Sequence, residues 1–339
     1  MILSNNLSFV TYFSKEFMIQ GSVAIDSFLN FHKESSGFVI CLDRTTSLYL
    51  KSKNYPKTIA IIDLEELSEI NSMFHNFINS RSYTESIISI KPHLIEEFLG
   101  QVDEDSYLVY FDADLFFFNS LLNIDEITSG FEVLLSEHLF PVKMRESVKF
   151  GKFNGGFVVF RNSKISKGLL KRWKDLCTEW CKLELLENKF ADQKYLDEFP
   201  ENEGVSSLKH PGVNNGQYYF QDKRDFDLLF RERRIQLEGF PLICFHFHGI
   251  RILLSGVSTG FNRYGKPRNF LWVLFCIYLP YIKGIRLESK YARSRFPSDW
   301  NQIILIEKSG NLLQRFLQHF NFTKVKFWSN RTLRSKPFV

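Results

Sequence analysis

The segment that most constrains this chain is an apolar strand that ends in two carboxylates. Residues 107–118 read YLVYFDADLFFF, so Asp112 and Asp114 directly follow an aromatic and β-branched run. Such a run predicts a buried parallel strand, and ligands of open α/β sheets bind where strands end. Two adjacent carboxylates in apolar surroundings favour neutralisation by Mg²⁺ or Mn²⁺, which leads us to expect a metal and diphosphate site. The alternative is a turn whose acids cap the next element.

Length and composition allow one large α/β domain with an appendage, or two modest domains. The chain has 339 residues, of which 44% are hydrophobic and 24% charged, as in ordinary soluble globular proteins. The net charge of +5 is uneven, because residues 257–339 hold 15 Lys and Arg against three acids. We therefore expect a catalytic domain over residues 1–256 and a basic C-terminal extension over residues 257–339.

The cysteines and the N-terminal residues indicate a cytoplasmic protein. Five cysteines are an odd number without the spacing of a disulfide framework. The N-terminal residues lack the basic and apolar regions of a secretory signal. We expect a protein of the cytoplasm that is either free or peripheral to the inner face of the plasma membrane.

The first third of the chain has the rhythm of a nucleotide-binding half-sheet. Strands are predicted at Ser8–Phe13, Gly37–Asp43 and Thr58–Asp63, with a helix at Phe17–Asn30 after the first. No glycine-rich phosphate motif accompanies them. Binding of a nucleotide would then depend on the metal at the two aspartates.

Several polar residues outside the Asp-Ala-Asp motif allow two interpretations. Arg81 and Lys91, which flank a predicted connector into the helix Lys91–Leu99, either contact phosphate or lie on a solvated face. Asp192, in the first turn of a predicted short helix at Phe190–Asp197, either complements the helix dipole or is catalytic. A longer helix with an apolar stripe is predicted over Ser166–Asn188.

Two further motifs indicate a binding site. Asn154-Gly155-Gly156 predicts either a hairpin turn or, as we prefer, a substrate-facing loop before a buried strand. The apolar strand Pro241–Gly249 carries His246 and His248, which share a face because strand side chains alternate. Two histidines on one face indicate a site rather than core packing.

The C-terminal extension combines apolar and basic segments. The apolar stretch Phe270–Ile282 is shorter than the roughly 20 residues of a spanning helix. It either packs on the catalytic domain or lies at an anionic membrane surface, given the basic residues that follow it. A second amphipathic stripe follows between Leu312 and Phe320. No nucleic-acid-binding motif is present. The basic residues are Lys283, Arg286, Lys290, Arg293 and Arg295.

The ordered motifs together resemble the metal-dependent GT-A type glycosyltransferases, within them the family-8-like and nucleotide-diphospho-sugar transferase groups. The resemblance covers about residues 9–249. It rests on Thr11-Tyr12 at the end of the first strand, Phe111–Asp114, Gly151–Phe157, Ala191–Leu196 and His246–Gly249.

The resemblance implies a fold and roles for individual residues. The fold would be a Rossmann-like mixed α/β sheet with helices on both faces. The Asp112-Ala113-Asp114 motif would bind Mn²⁺ or Mg²⁺ and the donor's diphosphate, with His248 or else His246 completing the metal site. Thr11, Tyr12 and Asp43 would line the base and ribose pocket, while Asn154, Gly155, Gly156, Asp192 and Gln193 would face the donor sugar and the acceptor.

The implied activity is a hexosyltransferase of class EC 2.4, retaining at the anomeric carbon. Its donor would be a nucleotide-diphosphate sugar and its acceptor a glycan or a lipid-linked glycan, in bacterial surface polysaccharide synthesis. The family's His-x-x-Gly-x-x-Lys-Pro stretch is broken here, since Gly265-Lys266-Pro267 comes later than expected. Arg251 is a candidate replacement for the lysine that contacts the diphosphate.

Two other functions remain open from the sequence. One is a haloacid-dehalogenase-like phosphatase, which also places Asp-x-Asp after an apolar strand, although near its N-terminus and with Thr or Val where this chain has Phe116. The other is a non-catalytic, membrane-associated binding protein on a transferase scaffold. The two aspartates and two histidines argue against lost metal binding.

Overall fold

The protein is built around one mixed, seven-stranded sheet. The structure, a computed structural model, describes residues 7–123, 130–221, 235–253, 256–259, 267 and 269–297. The strand order is β3-β2-β1-β4-β7-β6-β8. The strands are β1 Leu7–Phe13, β2 Ser36–Cys41, β3 Ile59–Asp63, β4 Tyr107–Phe111, β5 Leu115–Phe117, β6 Val133–Glu137, β7 Phe153–Arg161, β8 Val205–Leu208, β9 Val213–Asn215, β10 Gln236–Leu237, β11 Phe240–Pro241, β12 Cys244–His246, β13 Arg251–Leu253 and β14 Gly256–Ser258.

The N-terminal half of the sheet is parallel and the other half mixed. β1 pairs in parallel with both β2 and β4, and β2 pairs in parallel with β3. β7 runs antiparallel to β4 and to β6, while β8 is parallel to β6. The predicted mixed α/β sheet is therefore confirmed, and the strand that delivers the two aspartates lies at its centre.

Helices cover both faces of this sheet. They are α1 Met18–Phe31, α2 Arg44–Lys51, α3 Ser68–Ser80, α4 Tyr83–Ser89, α5 Lys91–Leu99, α6 Lys164–Glu179 and the C-terminal helix Phe270–Arg295. Side-chain caps begin several of them: Asp43 Oδ1 accepts from Thr46 N at 2.9 Å, and Ser163 Oγ accepts from Ser166 N at 3.1 Å.

The central strand β4 is buried on both sides, as its sequence predicts. Val109 and Phe111 pack in the core that includes α1 and the C-terminal helix, while Leu108 and Tyr110 pack in the core that includes α5 and α6. Each fully buried side chain of this size stabilises the fold by about 1.5–3 kcal/mol. The end of β4 is thereby held rigidly at the rim of the sheet.

A second, three-stranded sheet lies next to that rim. Its order is β5-β12-β9, with β12 antiparallel to β5 and parallel to β9. Because Leu115 pairs with His246, the turn after β4 and the histidine strand are directly adjacent. The two remaining pairs are the small antiparallel ladders β10–β11 and β13–β14.

Three predicted elements differ from the structure. The Asn-Gly-Gly step lies inside β7, not in a loop, because Gly156 O accepts from Asp112 N at 2.9 Å and continues the ladder. The helix predicted to reach Asn188 ends at Glu179, where Trp180 adopts an extended backbone. The region predicted as a short helix from Phe190 is a 3₁₀ segment, Gln193–Glu201, that Asp192 precedes.

The C-terminal helix is longer than the apolar stretch that predicted it. Two α-helical segments, Phe270–Val273 and Leu279–Arg295, are joined by a π-helical turn, Leu274–Tyr278. The whole helix has 26 residues and by length and composition alone is long enough to cross a membrane, which corrects the expectation that it is too short. Core helices of soluble proteins pass the same criterion, and Tyr281 and Ile285 are fully buried against the domain.

The boundary expected at residue 256 falls inside the β13–β14 hairpin, and the division into two domains stays a prediction. The second amphipathic stripe, Leu312 to Phe320, and Lys266 lie outside the described residues.

Candidate active site

The turn after β4 brings Asp112 and Asp114 to the floor of a cleft. The cleft has a volume of about 480 Å³ and opens along the rim of the main sheet. The turn is fixed by its backbone, since Leu115 N donates to Asp112 O at 3.2 Å and Phe247 N donates to Asp114 O at 2.9 Å. The latter bond ties the turn to the strand that carries the histidines.

Two histidines complete this floor. His246 Nε2 lies 2.8 Å from Asp114 Oδ1 and 3.8 Å from Asp112 Oδ2. The rings of His246 and His248 stack with centroids 3.6 Å apart, so the predicted shared face is confirmed. Asp114, His246 and His248 each offer a ligand atom, and these atoms lie within 4.8 Å of one another. One carboxylate and two imidazoles are donors that suit a divalent cation.

Asn214 determines which nitrogen of His246 carries a proton. Its Nδ2 donates to the carbonyl of Asn154 at 3.1 Å, so its Oδ1, 3.1 Å from His246 Nδ1, must accept. Asn154 Nδ2 also lies 3.4 Å from His246 Nδ1, but the Asn214 contact is the shorter one and assigns a proton to Nδ1, so that Nε2 faces the carboxylates. Such a contact requires a cation or a second proton at Nε2, and a hydrogen bond of this kind orients metal-binding histidines.

The charged groups of the floor shift one another's pKa values towards the ionised forms. Burial alone would raise the pKa of Asp114, but the adjacent His246 outweighs it and holds that pKa at about 2. Burial lowers the pKa of His246, yet Asp114 and Asp112 outweigh it and raise that pKa above its usual value. The floor therefore presents an ionised Asp114 at neutral pH.

Lys91 joins the floor to the opposite wall. This first residue of α5 is only 4% exposed, and its Nζ lies 2.8 Å from Asp192 Oδ2 and 3.5 Å from Asp112 Oδ1. The Nζ also donates to Gly155 O at 3.1 Å. Burial lowers the pKa of Lys91, but the Asp112 and Asp192 carboxylates more than offset this and raise it above its usual range. Lys91 is thus a permanent buried cation.

Two glycines allow these groups to converge. A Cβ on Gly156 would lie 2.5 Å from His246 Cε1 and 3.0 Å from Asp112 Oδ2. A Cβ on Gly155 would lie 3.3 Å from Asp192 Oδ2. The Asn-Gly-Gly step therefore provides a close backbone approach, and it does so from within a strand rather than from the predicted loop.

Asp192 and Gln193 line the same cleft, together with Tyr12, Ala113 and Asn154. Trp173 Nε1 donates to Asp192 O at 2.9 Å, and Gln193 Nε2 donates to Phe150 O at 3.0 Å. These bonds fix the positions of Asp192 and Gln193 in the wall of the cleft.

Four predicted binding residues lie away from the cleft lining. Thr11 Oγ1 donates to Phe111 O at 2.8 Å, and Asp43 caps α2. Arg81 donates to Cys177 O at 2.8 Å, where it joins α4 to the end of α6. Arg251 is exposed on β13.

The sequence analysis did not single out several cleft residues. Tyr110 OH donates to Asp112 Oδ1, and the alternation of a strand would have placed the two on one face. His138 stacks on Phe140 with centroids 4.5 Å apart, and burial lowers its pKa to about 4. Asn214 is the first residue of an Asn-Asn-Gly turn signal, yet nothing in this pattern indicates a histidine partner.

Comparison with curated proteins identifies relatives. The chain is 30% identical over 255 residues to the uncharacterised protein YfnF of Bacillus subtilis (strain 168), covering 73% of this chain and 82% of YfnF. The chain belongs to the YfnF family. A second relative, the uncharacterised protein YfnD of the same organism, is 24% identical over 272 residues, which span 77% of this chain and 82% of YfnD. No protein-family model matches.

Solved structures similar to this YfnF-family chain are glycosyltransferases. LgtC, a galactosyltransferase solved with donor and acceptor sugar analogs, is 17% identical with a TM-score of 0.49, covering 88% of this chain and all of LgtC. GlyE of Streptococcus pneumoniae TIGR4 is 17% identical with a TM-score of 0.47, covering 89% of this chain and 66% of GlyE. Likenesses of this degree do not decide an activity.

Proposed function

We propose that the protein is a metal-dependent glycosyltransferase that moves a hexosyl group from a nucleotide-diphosphate sugar to a glycan or lipid-linked acceptor, with retention at the anomeric carbon, in bacterial surface polysaccharide synthesis. The observation that carries the proposal is the convergence of Asp112, Asp114, His246 and His248 on the floor of one cleft.

The donor atoms fit a divalent cation. Carboxylates suit Mg²⁺ and Mn²⁺, whereas imidazole nitrogens are ligands of the transition metals, so the mixed set favours Mn²⁺ of the two. Asp112, Asp114, His246 and His248 would hold it. Bound there, the ion would supply positive charge to the diphosphate leaving group.

The chain's own residues position the donor and the acceptor. Lys91 holds the Asp192 carboxylate at 2.8 Å, so that this group has one fixed place in the cleft. Asp192 and Gln193 would contact the sugar of the donor. The transition state at this sugar carries oxocarbenium-like positive charge, which a carboxylate stabilises. The hydrogen bonds from Trp173 Nε1 to Asp192 O and from Gln193 Nε2 to Phe150 O hold both residues in position while the substrate reacts.

The rest of the cleft is suited to excluding water. Apolar side chains line it on both sides of the acidic floor, among them Phe13, Ile87, Phe140, Met144 and Phe190. Exclusion of water strengthens each electrostatic contact and favours transfer to an acceptor over hydrolysis.

Calorimetric titration with UDP-, GDP-, CMP- and TDP-linked sugars tests the proposal, first with Mn²⁺ and then with EDTA. We expect one nucleotide to bind only with the metal, and Asp114→Asn to abolish this binding. Asp175→Asn, the same change at an exposed acid of α6, is the matched control and should bind as the wild type does.

Two results would contradict the proposal. Metal-dependent hydrolysis of a phosphomonoester without nucleotide-sugar binding would favour the phosphatase. If the protein neither binds a nucleotide sugar nor hydrolyses a phosphomonoester under any metal condition, a non-catalytic binding protein on this scaffold would be favoured.

A further inference from the structure

The C-terminal helix has an exposed side of unusual composition. Leu271, Trp272 and Phe275 are 60%, 53% and 58% exposed, and Leu279 is 39% exposed. Large apolar side chains clustered in this way on a surface mark an interaction site more often than scattered ones do.

Basic residues continue this side along the helix. Lys283, Arg286, Lys290 and Arg293 are all exposed and spaced by three or four residues, which places them in one stripe. Leu279 precedes Lys283 by four residues and so links the apolar and basic parts. Between residues 270 and 297 the sequence has a single acid, Glu288.

That acid faces the protein. Glu288 Oε1 accepts from Lys53 Nζ at 2.7 Å and from Ser22 Oγ at 2.6 Å, and the residue is buried. All charged side chains on the exposed side of the helix are therefore basic.

From these features we infer that the exposed side of the C-terminal helix binds an anionic lipid surface, with Leu271, Trp272, Phe275 and Leu279 entering the interface and the basic stripe contacting lipid headgroups. Interfacial helices combine an apolar part with Lys and Arg in this way, and each basic residue near such a surface strengthens binding roughly fivefold.

The helix lies on the membrane rather than crossing it. Tyr281 stacks on Phe247 of the domain with centroids 3.9 Å apart, and Glu288 is paired with Lys53. A spanning helix would have to break both contacts and carry the basic stripe into hydrocarbon, which is costly.

The alternative occupants fit less well. A nucleic acid would satisfy the basic stripe but would leave the apolar residues in water, since its phosphate surface is charged. Lipid satisfies both parts at once.

Sedimentation of the full-length protein with vesicles tests the inference. Vesicles of phosphatidylcholine mixed with phosphatidylglycerol should bind the protein, whereas phosphatidylcholine alone should bind it far more weakly. Lys290→Glu with Arg293→Glu should weaken binding about thirtyfold or more. The matched control is Lys164→Glu with Lys167→Glu on α6, which are also exposed and three residues apart, and it should change binding by less than about twofold.

Tryptophan fluorescence tests the apolar part. Addition of the anionic vesicles should shift the emission to the blue, and Trp272→Phe should abolish this shift although four other tryptophans remain. A shift that persists in Trp272→Phe, equal losses in the two charge variants, or no vesicle binding would each overturn the inference. The wild type could instead bind a single-stranded oligonucleotide and no vesicles, with the Lys290→Glu, Arg293→Glu variant losing the oligonucleotide. That result would also overturn the inference.

Discussion

Lys91 Nζ lies 2.8 Å from Asp192 Oδ2, and both side chains are almost completely buried. One end of this ion pair is the start of α5 and the other follows α6, so the pair joins two distant segments across the cleft. Removal of one partner leaves a buried, unpaired charge.

Lys91→Met should therefore destabilise the fold by about 3 kcal/mol. Urea unfolding at neutral pH measures this loss. Lys51→Met is the matched control, because the Lys51–Asp63 pair has the same 2.8 Å separation but is exposed. Its removal should cost less than about 1 kcal/mol. Equal losses in the two variants would contradict a special role for the buried pair.

Gly156→Ala should damage the proposed metal site. The new Cβ would lie 2.5 Å from His246 Cε1, so either the strand or the histidine must move, at a cost of about 2 kcal/mol. Mn²⁺ titration and thermal unfolding should both show the change.

The control for this substitution is Gly168→Ala on α6, where a Cβ meets nothing within 4 Å. It should stabilise the protein by roughly 0.5–1 kcal/mol and leave Mn²⁺ binding intact. Wild-type metal affinity in Gly156→Ala would show that the close approach is dispensable.

Asn214→Gly should weaken Mn²⁺ binding about tenfold to a hundredfold. The substitution removes the acceptor that orients His246, while glycine tolerates the backbone φ of +54° at this position. Asn54→Gly makes the same change at φ +53° on an exposed turn, and its metal affinity should equal that of the wild type. If both variants bind metal equally well, Asn214 does not position the histidine.

His93 should make the protein sensitive to mild acid. Burial, helped by the positive charges of Lys174 and Arg81, lowers its pKa from 6.5 to about 4. Between pH 6.5 and pH 4 the unfolded chain binds a proton at His93 that the folded chain does not bind. The free energy of unfolding is therefore unaffected by this group above pH 6.5, and it decreases as the pH falls towards 4. The loss due to His93 at pH 4 should be about 3 kcal/mol.

His93→Gln tests this relation. Because Thr178 Oγ1 donates to Lys174 O, it accepts from His93 Nε2 at 3.0 Å, and a glutamine amide can replace that donor. Urea unfolding from pH 7 to pH 4 should show a smaller acid loss in the variant. His75→Gln, at an exposed position on α3, should retain the wild-type slope. Identical slopes in all three proteins would exclude His93 as the cause.

Parts of this site follow directly from local sequence. The apolar run before Asp112 predicted its place at the rim, and the two-residue period of a strand predicted the shared face of His246 and His248. The same period also explains one discrepancy. Thr11 and Tyr12 are neighbours on β1 and point to opposite faces, so only Tyr12 lines the cleft while the Thr11 hydroxyl serves the Phe111 carbonyl.

Other parts depend on contacts that no local pattern contains. Lys91 and Asp192 are about a hundred positions apart, and their meeting depends on how α5 and the segment after α6 pack at one end of the sheet. Asp43 and Arg81 have ordinary charged side chains whose roles, a helix cap and a link between helices, are set by neighbouring backbone groups. For the same reason Asn214 was not recognised as the partner of His246.

The stack of Tyr281 on Phe247 has a consequence for any shortened version of this protein. Phe247 is the residue whose amide holds the backbone of Asp114, and its ring is covered by a helix that begins after residue 256. A truncation placed at the compositional boundary would uncover the underside of the turn that carries Asp112 and Asp114. The helix therefore supports the floor of the cleft from below, and an expression clone that is meant to keep the cleft intact should run at least to Arg295.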